Sequence, residues 1–141
     1  MVLMRNLILV ILFACSVSPA VAQAEFINLT ARDAQLMIST QAESSDFYLL
    51  DVRTDQEYTQ AHIKGSHKLD FYSADFAANV ARLDRDKTYL LYCRTGVRSA
   101  KTLVLMRKLG FAKVYNMRGG IQSWYQQQLP LVFKKRSIKA E

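Results

Sequence analysis

The residues best suited to chemistry lie in one run of seven, Cys93-Arg94-Thr95-Gly96-Val97-Arg98-Ser99. It follows an apolar segment that reads as a buried strand and precedes a strongly apolar helical segment. A loop that curls around its own first residue turns successive backbone N–H groups inward, and the helix behind it adds the positive end of its dipole. Such a cradle favours a thiolate over a thiol, so Cys93 is expected to be a nucleophile at neutral pH. Arg94 and Arg98 add two permanent positive charges for an incoming anion. Gly96 permits backbone geometry that a side chain would obstruct. With Thr95, Val97 and Ser99 these residues form the candidate substrate-binding set around the nucleophile. A lone cysteine ending a strand is ordinarily an inert core thiol. Two arginines, a mid-loop glycine and a helix start directly after it favour a reactive site instead.

The elements that must position this loop can be read along the chain. Residues 26–29 suit a short strand, and the Thr30 hydroxyl can cap a helix over 31–40. Residues 48–52 and 88–92 are continuous apolar runs, too short for helices, of the kind buried on both faces of a parallel sheet. Thr54-Asp55-Gln56-Glu57 fits a capping box opening a short helix that ends before Gly65. A strand is expected over 66–71, a helix over 74–83 and a helix over 100–109 stopped by Gly110, with Phe111 packing back. A strand over 113–116, a turn at Gly119-Gly120 and a closing helix over 121–127 complete the order. Strands alternating with helices predict an α/β domain whose mainly parallel sheet is covered on both faces. Ligands bind such sheets beyond the carboxyl ends of the strands, where Asp51 and Cys93 both fall.

At these residues the sequence resembles the rhodanese family, whose active loop reads Cys-x-x-Gly-x-Arg, here Cys93 to Arg98. Leu50-Asp51-Val52-Arg53 with Glu57, His62-Ile63 and Gly65 is similar to the family's N-terminal signature. Gly119-Gly120 followed by Trp124 is similar to its C-terminal one. Ala61 and Ser66 depart from the usual glycine and alanine, outside the loop. The resemblance implies a rhodanese-like fold with a central five-stranded sheet and a two-step sulfur transfer through a Cys93 persulfide. The partners it implies are a small anionic donor such as thiosulfate and a thiophilic acceptor, cyanide or a thiol; an acceptor protein is not identified. It implies no metal and no organic cofactor.

Other residues carry plainer expectations. Asp51 is expected to accept backbone or arginine hydrogen bonds that hold the crevice together, and Arg53 and Glu57 to form a structural pair at helical spacing. His62 and His67 have no partner at metal-ligand spacing. Trp124 is expected to anchor the closing helix. A cysteine phosphatase or arsenate reductase is the rival enzyme, but its loop places five residues between cysteine and arginine, where Arg94, Thr95, Gly96 and Val97 make four. A non-enzymatic sulfur carrier or sensor would share the same loop.

The length of 141 residues suits one domain, and 50% hydrophobic with 22% charged residues excludes a mostly disordered chain. Residues 1–24 read as a signal peptide: Arg5, an apolar run over 7–14, a break at Ser18-Pro19 and Ala22-Gln23-Ala24 before Glu25. The expectation is export to a periplasmic or secreted location, with a domain over 25–133 and a basic tail over 134–141. The rival is a lipoprotein lipidated at Cys15, the one route to a membrane, although Phe13 is bulky for that motif. Removing Arg5 lowers the net charge from +7 to +6, which favours anionic partners. Lys134-Lys135-Arg136 with Lys139 lacks interleaved aromatics, so it reads as a solvated tail and no nucleic acid is expected. Cleavage leaves Cys93 as the sole thiol, unable to form an intramolecular disulfide.

Overall fold

The computed structural model describes residues 23–134. The expectations for most of the export segment, for Cys15 and for the tail beyond Lys134 lie outside the described residues. Apolar runs too short for helices become the central strands, β2 (Phe47–Asp51) and β5 (Thr88–Tyr92). They pair in parallel from Phe47 with Thr88 to Asp51 with Tyr92. Beyond β5 lies β6 (Lys113–Met117), then β1 (Glu25–Leu29); beyond β2 lies the short β4 (His67–Lys68). The resulting sheet has the order β1-β6-β5-β2-β4, and every pairing is parallel.

Each face of the sheet has its own core, which is why the strands are apolar at successive positions. Leu49, Leu90 and Tyr115 point to one face, beneath α1 (Ala31–Gln41) and α5 (Gly120–Gln126), which contribute Ala31, Ala34, Ile121 and Trp124. Their sequence neighbours Leu50, Leu91 and Val114 point to the other. There they meet Phe76 and Val80 of α3 (Phe76–Ala81) and Leu103 and Met106 of α4 (Val97–Lys108). Helices therefore cover both faces as expected, and the Trp124 indole is buried with its Nε1–H donating to the Pro130 carbonyl at 2.9 Å.

Three elements depart from expectation by two residues or more at an end. The strand expected over 66–71 is reduced to two paired residues because the Asp70 carboxylate accepts the Tyr72 N–H at 2.9 Å and turns the chain. The helix expected over 74–83 begins only at Phe76, after a turn in which the Ser73 hydroxyl bonds the Asp75 carboxylate. In contrast, α4 starts three residues earlier than expected, at Val97, because Gly96 caps it in the left-handed region at φ +92°. A small antiparallel ladder was not foreseen: β3 (Ala61–His62), which follows α2 (Asp55–Gln60), pairs with β7 (Val132–Phe133). The Lys134 N–H extends it by donating to the Gln60 carbonyl at 3.1 Å.

Candidate active site

Cys93 follows β5 directly, at the carboxyl end of the sheet, and is wholly buried at the floor of the loop that it opens. The Gly96 N–H donates to its Sγ at 3.1 Å, and the Ser99 hydroxyl lies 3.4 Å from the sulfur. Burial is the largest single influence on this thiol and raises its pKa. The Ser99 hydroxyl and the backbone N–H groups of Ser99, Thr95 and Gly96 together outweigh that penalty, so the net displacement is downward. The expected cradle is present.

Its geometry depends on a support that the sequence reading treated as a simple turn. The first residues of α5 donate outward-facing hydrogen bonds to the loop: Ile121 N–H to the Cys93 carbonyl at 2.9 Å and Gln122 N–H to the Arg94 carbonyl at 3.1 Å. Held by those bonds, the loop's carbonyls face away from the sulfur and its N–H groups are free to face it. Gly120 makes this approach possible, since a Cβ there would sit 2.4 Å from the Cys93 carbonyl oxygen and 2.5 Å from that of Arg94. Gly96 is similarly constrained, with its positive φ and the Gly119 nitrogen only 3.0 Å from a hypothetical Cβ. The Gly-Gly pair was visible in the sequence, but its contact with a loop more than twenty residues earlier was not.

The two arginines of the loop have different surroundings. Arg94 is exposed and makes no side-chain hydrogen bond or ion pair among the described residues. Arg98, by contrast, grips Glu57 with both guanidinium nitrogens, at 2.8 Å to Oε2 and 2.7 Å to Oε1, and lies over the Tyr72 ring at 5.4 Å. The Arg98 hydrogen bonds, chiefly, hold the Glu57 carboxyl down at about 2, and in return Glu57 raises the Arg98 guanidinium above its ordinary value. Glu57 also closes the expected capping box, accepting the Thr54 N–H at 3.1 Å while Thr54 Oγ1 accepts the Glu57 N–H. Thus one carboxylate both caps α2 and ties it to the Cys93 loop.

This arrangement corrects the expected Arg53–Glu57 pair. Arg53 precedes the N-cap Thr54 and lies outside α2, so helical spacing does not bring the two side chains together. Its guanidinium instead meets Asp51, with Nη2 at 2.6 Å from Oδ2, and reaches Glu57 only through that residue's backbone carbonyl at 3.4 Å. A further bond to the Ala61 carbonyl at 2.8 Å fixes the start of β3. Asp51 accepts the Arg53 N–H as well, at 2.9 Å.

Ser66, one of the two departures from the family pattern, uses its hydroxyl: it donates to the Ile63 carbonyl at 2.7 Å and accepts the Tyr92 O–H at 3.0 Å. His62 stacks on Tyr58 and His67 on Tyr48. No cluster of three metal-ligating side chains occurs among the described residues, and no helix there is long and apolar enough to cross a membrane. Val97, finally, is exposed at the outer edge of the loop and Thr95 is exposed beside it.

The family model described as "Rhodanese-like domain" matches residues 30–127, from the cap of α1 to the end of α5. This chain belongs to the rhodanese family. Among its relatives, the "Sulfurtransferase" of Allochromatium vinosum is 29% identical over 100 residues, covering 71% of this chain and 92% of that protein. The "Probable adenylyltransferase/sulfurtransferase MoeZ" of Mycobacterium tuberculosis is 38% identical over 82 residues, 58% of this chain, but the match spans only 21% of that longer protein. A crystal structure of a rhodanese-related protein from Thermoplasma volcanium superposes with a TM-score of 0.61 at 28% identity, covering 74% of this chain and 96% of the other. The rhodanese fold, with its all-parallel five-stranded sheet, is therefore that of this chain.

Proposed function

We propose that this rhodanese is a sulfurtransferase that takes the outer sulfur of thiosulfate, or of a similar small anionic donor, onto Cys93 and passes it to a thiophilic acceptor. The observation that carries the reading is the surroundings of the Cys93 sulfur, which accepts N–H and O–H bonds that lower its pKa despite complete burial. In the first step the thiolate attacks the outer sulfur of thiosulfate; the S–S bond breaks and sulfite departs with its electron pair. The Cys93 persulfide that remains is an anion, and the same N–H groups stabilise it. In the second step cyanide or a thiolate attacks the outer sulfur and the Cys93 thiolate is the leaving group. Arg94, uncompensated at the mouth, attracts the donor. Arg98 is neutralised by Glu57, so the pair leaves no net charge beside the site.

The test is thiocyanate formation from thiosulfate and cyanide, compared with hydrolysis of an aryl phosphate. Sulfur transfer that vanishes in Cys93→Ser, with negligible phosphatase turnover, is expected from a cradle closed after four residues. Phosphatase turnover exceeding sulfur transfer would overturn the reading. A persulfide that forms on Cys93 but supports no turnover would make the protein a carrier instead.

A further inference from the structure

A groove of about 390 Å³ opens beside the catalytic loop and has no role in the chemistry described above. Its lining includes Arg94 and Gln122, whose backbones meet in the loop's support, and Leu131 and Phe133 on the segment that carries β7. Ile121 and Tyr125 from α5 and Ala61 from β3 line it as well. Tyr125 is 66% exposed and Phe133 60%, so two large aromatic side chains face solvent along this path. The groove is several times larger than a small inorganic oxyanion needs and falls within the roughly 300–1,000 Å³ of sites for organic ligands.

Charge narrows the ligand further. Two ionic residues besides Arg94 line the groove, and each is compensated: Arg53 by Asp51 and Glu57 by Arg98. The surplus among the lining residues is therefore the single positive charge of Arg94, the residue that directly follows Cys93. Resting on the sulfurtransferase reading above, we propose that the groove binds the organic body of a small thiol acceptor with an anionic group beside its sulfur and an apolar tail extending toward Phe133. The acceptor's thiolate, its proton released to solvent, attacks the outer sulfur of the Cys93 persulfide. The bond from that sulfur to Sγ breaks with its electron pair on Sγ, and an acceptor persulfide departs. No net oxidation occurs.

The probes are 2-mercaptooctanoate, which has both features, thiolactate, which has the same head without the tail, and 2-mercaptooctanamide, which has the tail without the charge. Each is offered to protein loaded by thiosulfate, with cyanide as the reference acceptor. The groove predicts kcat/KM for 2-mercaptooctanoate roughly ten- to thirtyfold above thiolactate, the effect of partly burying five methylenes. It predicts roughly a tenfold advantage over the neutral amide from the contact with Arg94. Phe133→Ala and, independently, Tyr125→Ala should each reduce the octanoate-to-thiolactate ratio at least about threefold, read as a ratio so that any general loss of activity cancels. Turnover with cyanide but equal use of the two carboxylates would overturn the groove while leaving the sulfurtransferase reading intact. A tail preference untouched by both substitutions would overturn it too. Failure of cyanide turnover itself would instead count against the underlying reading.

Discussion

Because Glu57 and Arg98 cancel, changing either one should move sulfur transfer in opposite directions. At neutral pH the pair contributes no net charge, with Glu57 held ionised at about 2 and Arg98 protonated. Glu57→Gln preserves the shape and leaves +1 beside the site; Arg98→Ala leaves −1; the double variant restores zero. At a separation of about 7 Å and an effective dielectric of about 40, a unit charge contributes about 1.2 kcal/mol toward another unit charge and about 2.4 kcal/mol toward a dianion. That is roughly seven- to sixtyfold in kcat/KM for thiosulfate: a gain in Glu57→Gln, a loss in Arg98→Ala and an intermediate value in the double variant. Initial rates with saturating cyanide measure it, and raising the ionic strength should shrink both effects. Alkylation by neutral iodoacetamide, at a pH where Cys93 is fully ionised, should be nearly unchanged in all three. If both single variants lose thiosulfate turnover equally and the double variant recovers nothing, the pair serves as a mechanical clamp and the charge argument is wrong.

Gly120→Ala should lower the melting temperature by about 10 °C, the scale of a loss of 2–3 kcal/mol in a domain of this size, and abolish turnover, because its Cβ would collide with two loop carbonyls; calorimetry showing native stability would remove Gly120 from the loop's support. The rate of Cys93 alkylation should reach half its maximum at a lower pH than that of an ordinary thiol, since the hydrogen bonds to sulfur favour the thiolate. Ser99→Ala should move that midpoint upward, and an unmoved midpoint would assign the effect to the backbone N–H groups alone. Export predicts a mature N-terminus at Glu25 in the soluble envelope fraction, whereas a lipid-modified Cys15 in the membrane fraction would establish the anchored alternative.

Most of the scaffold was legible because a sheet covered on both faces writes itself as short uninterrupted apolar runs. Expected strands at 48–52 and 88–92 fall within one residue of β2 and β5, and the capping box at Thr54 to Glu57 forms as read. The β3–β7 ladder was invisible, since two paired residues carry no periodicity. Within the site, the cradle followed from local chain order, from Cys93 to the helix behind it. What the sequence could not show were the choices between partners distant along the chain. Glu57 turns to Arg98, 41 residues away, and Arg53 turns back to Asp51, because the helix that would align Arg53 with Glu57 begins only after Thr54. Gly120 likewise reads as a turn until the Cys93 and Arg94 carbonyls are found against it.

Intact mass after thiosulfate treatment tests the central claim most directly. The account predicts a gain of one sulfur, about 32 Da, in the native protein, located on Cys93, removed by cyanide with release of thiocyanate and absent from Cys93→Ser. An unchanged mass in the folded, fully reduced protein, or a sulfur adduct that cyanide does not remove, would contradict it.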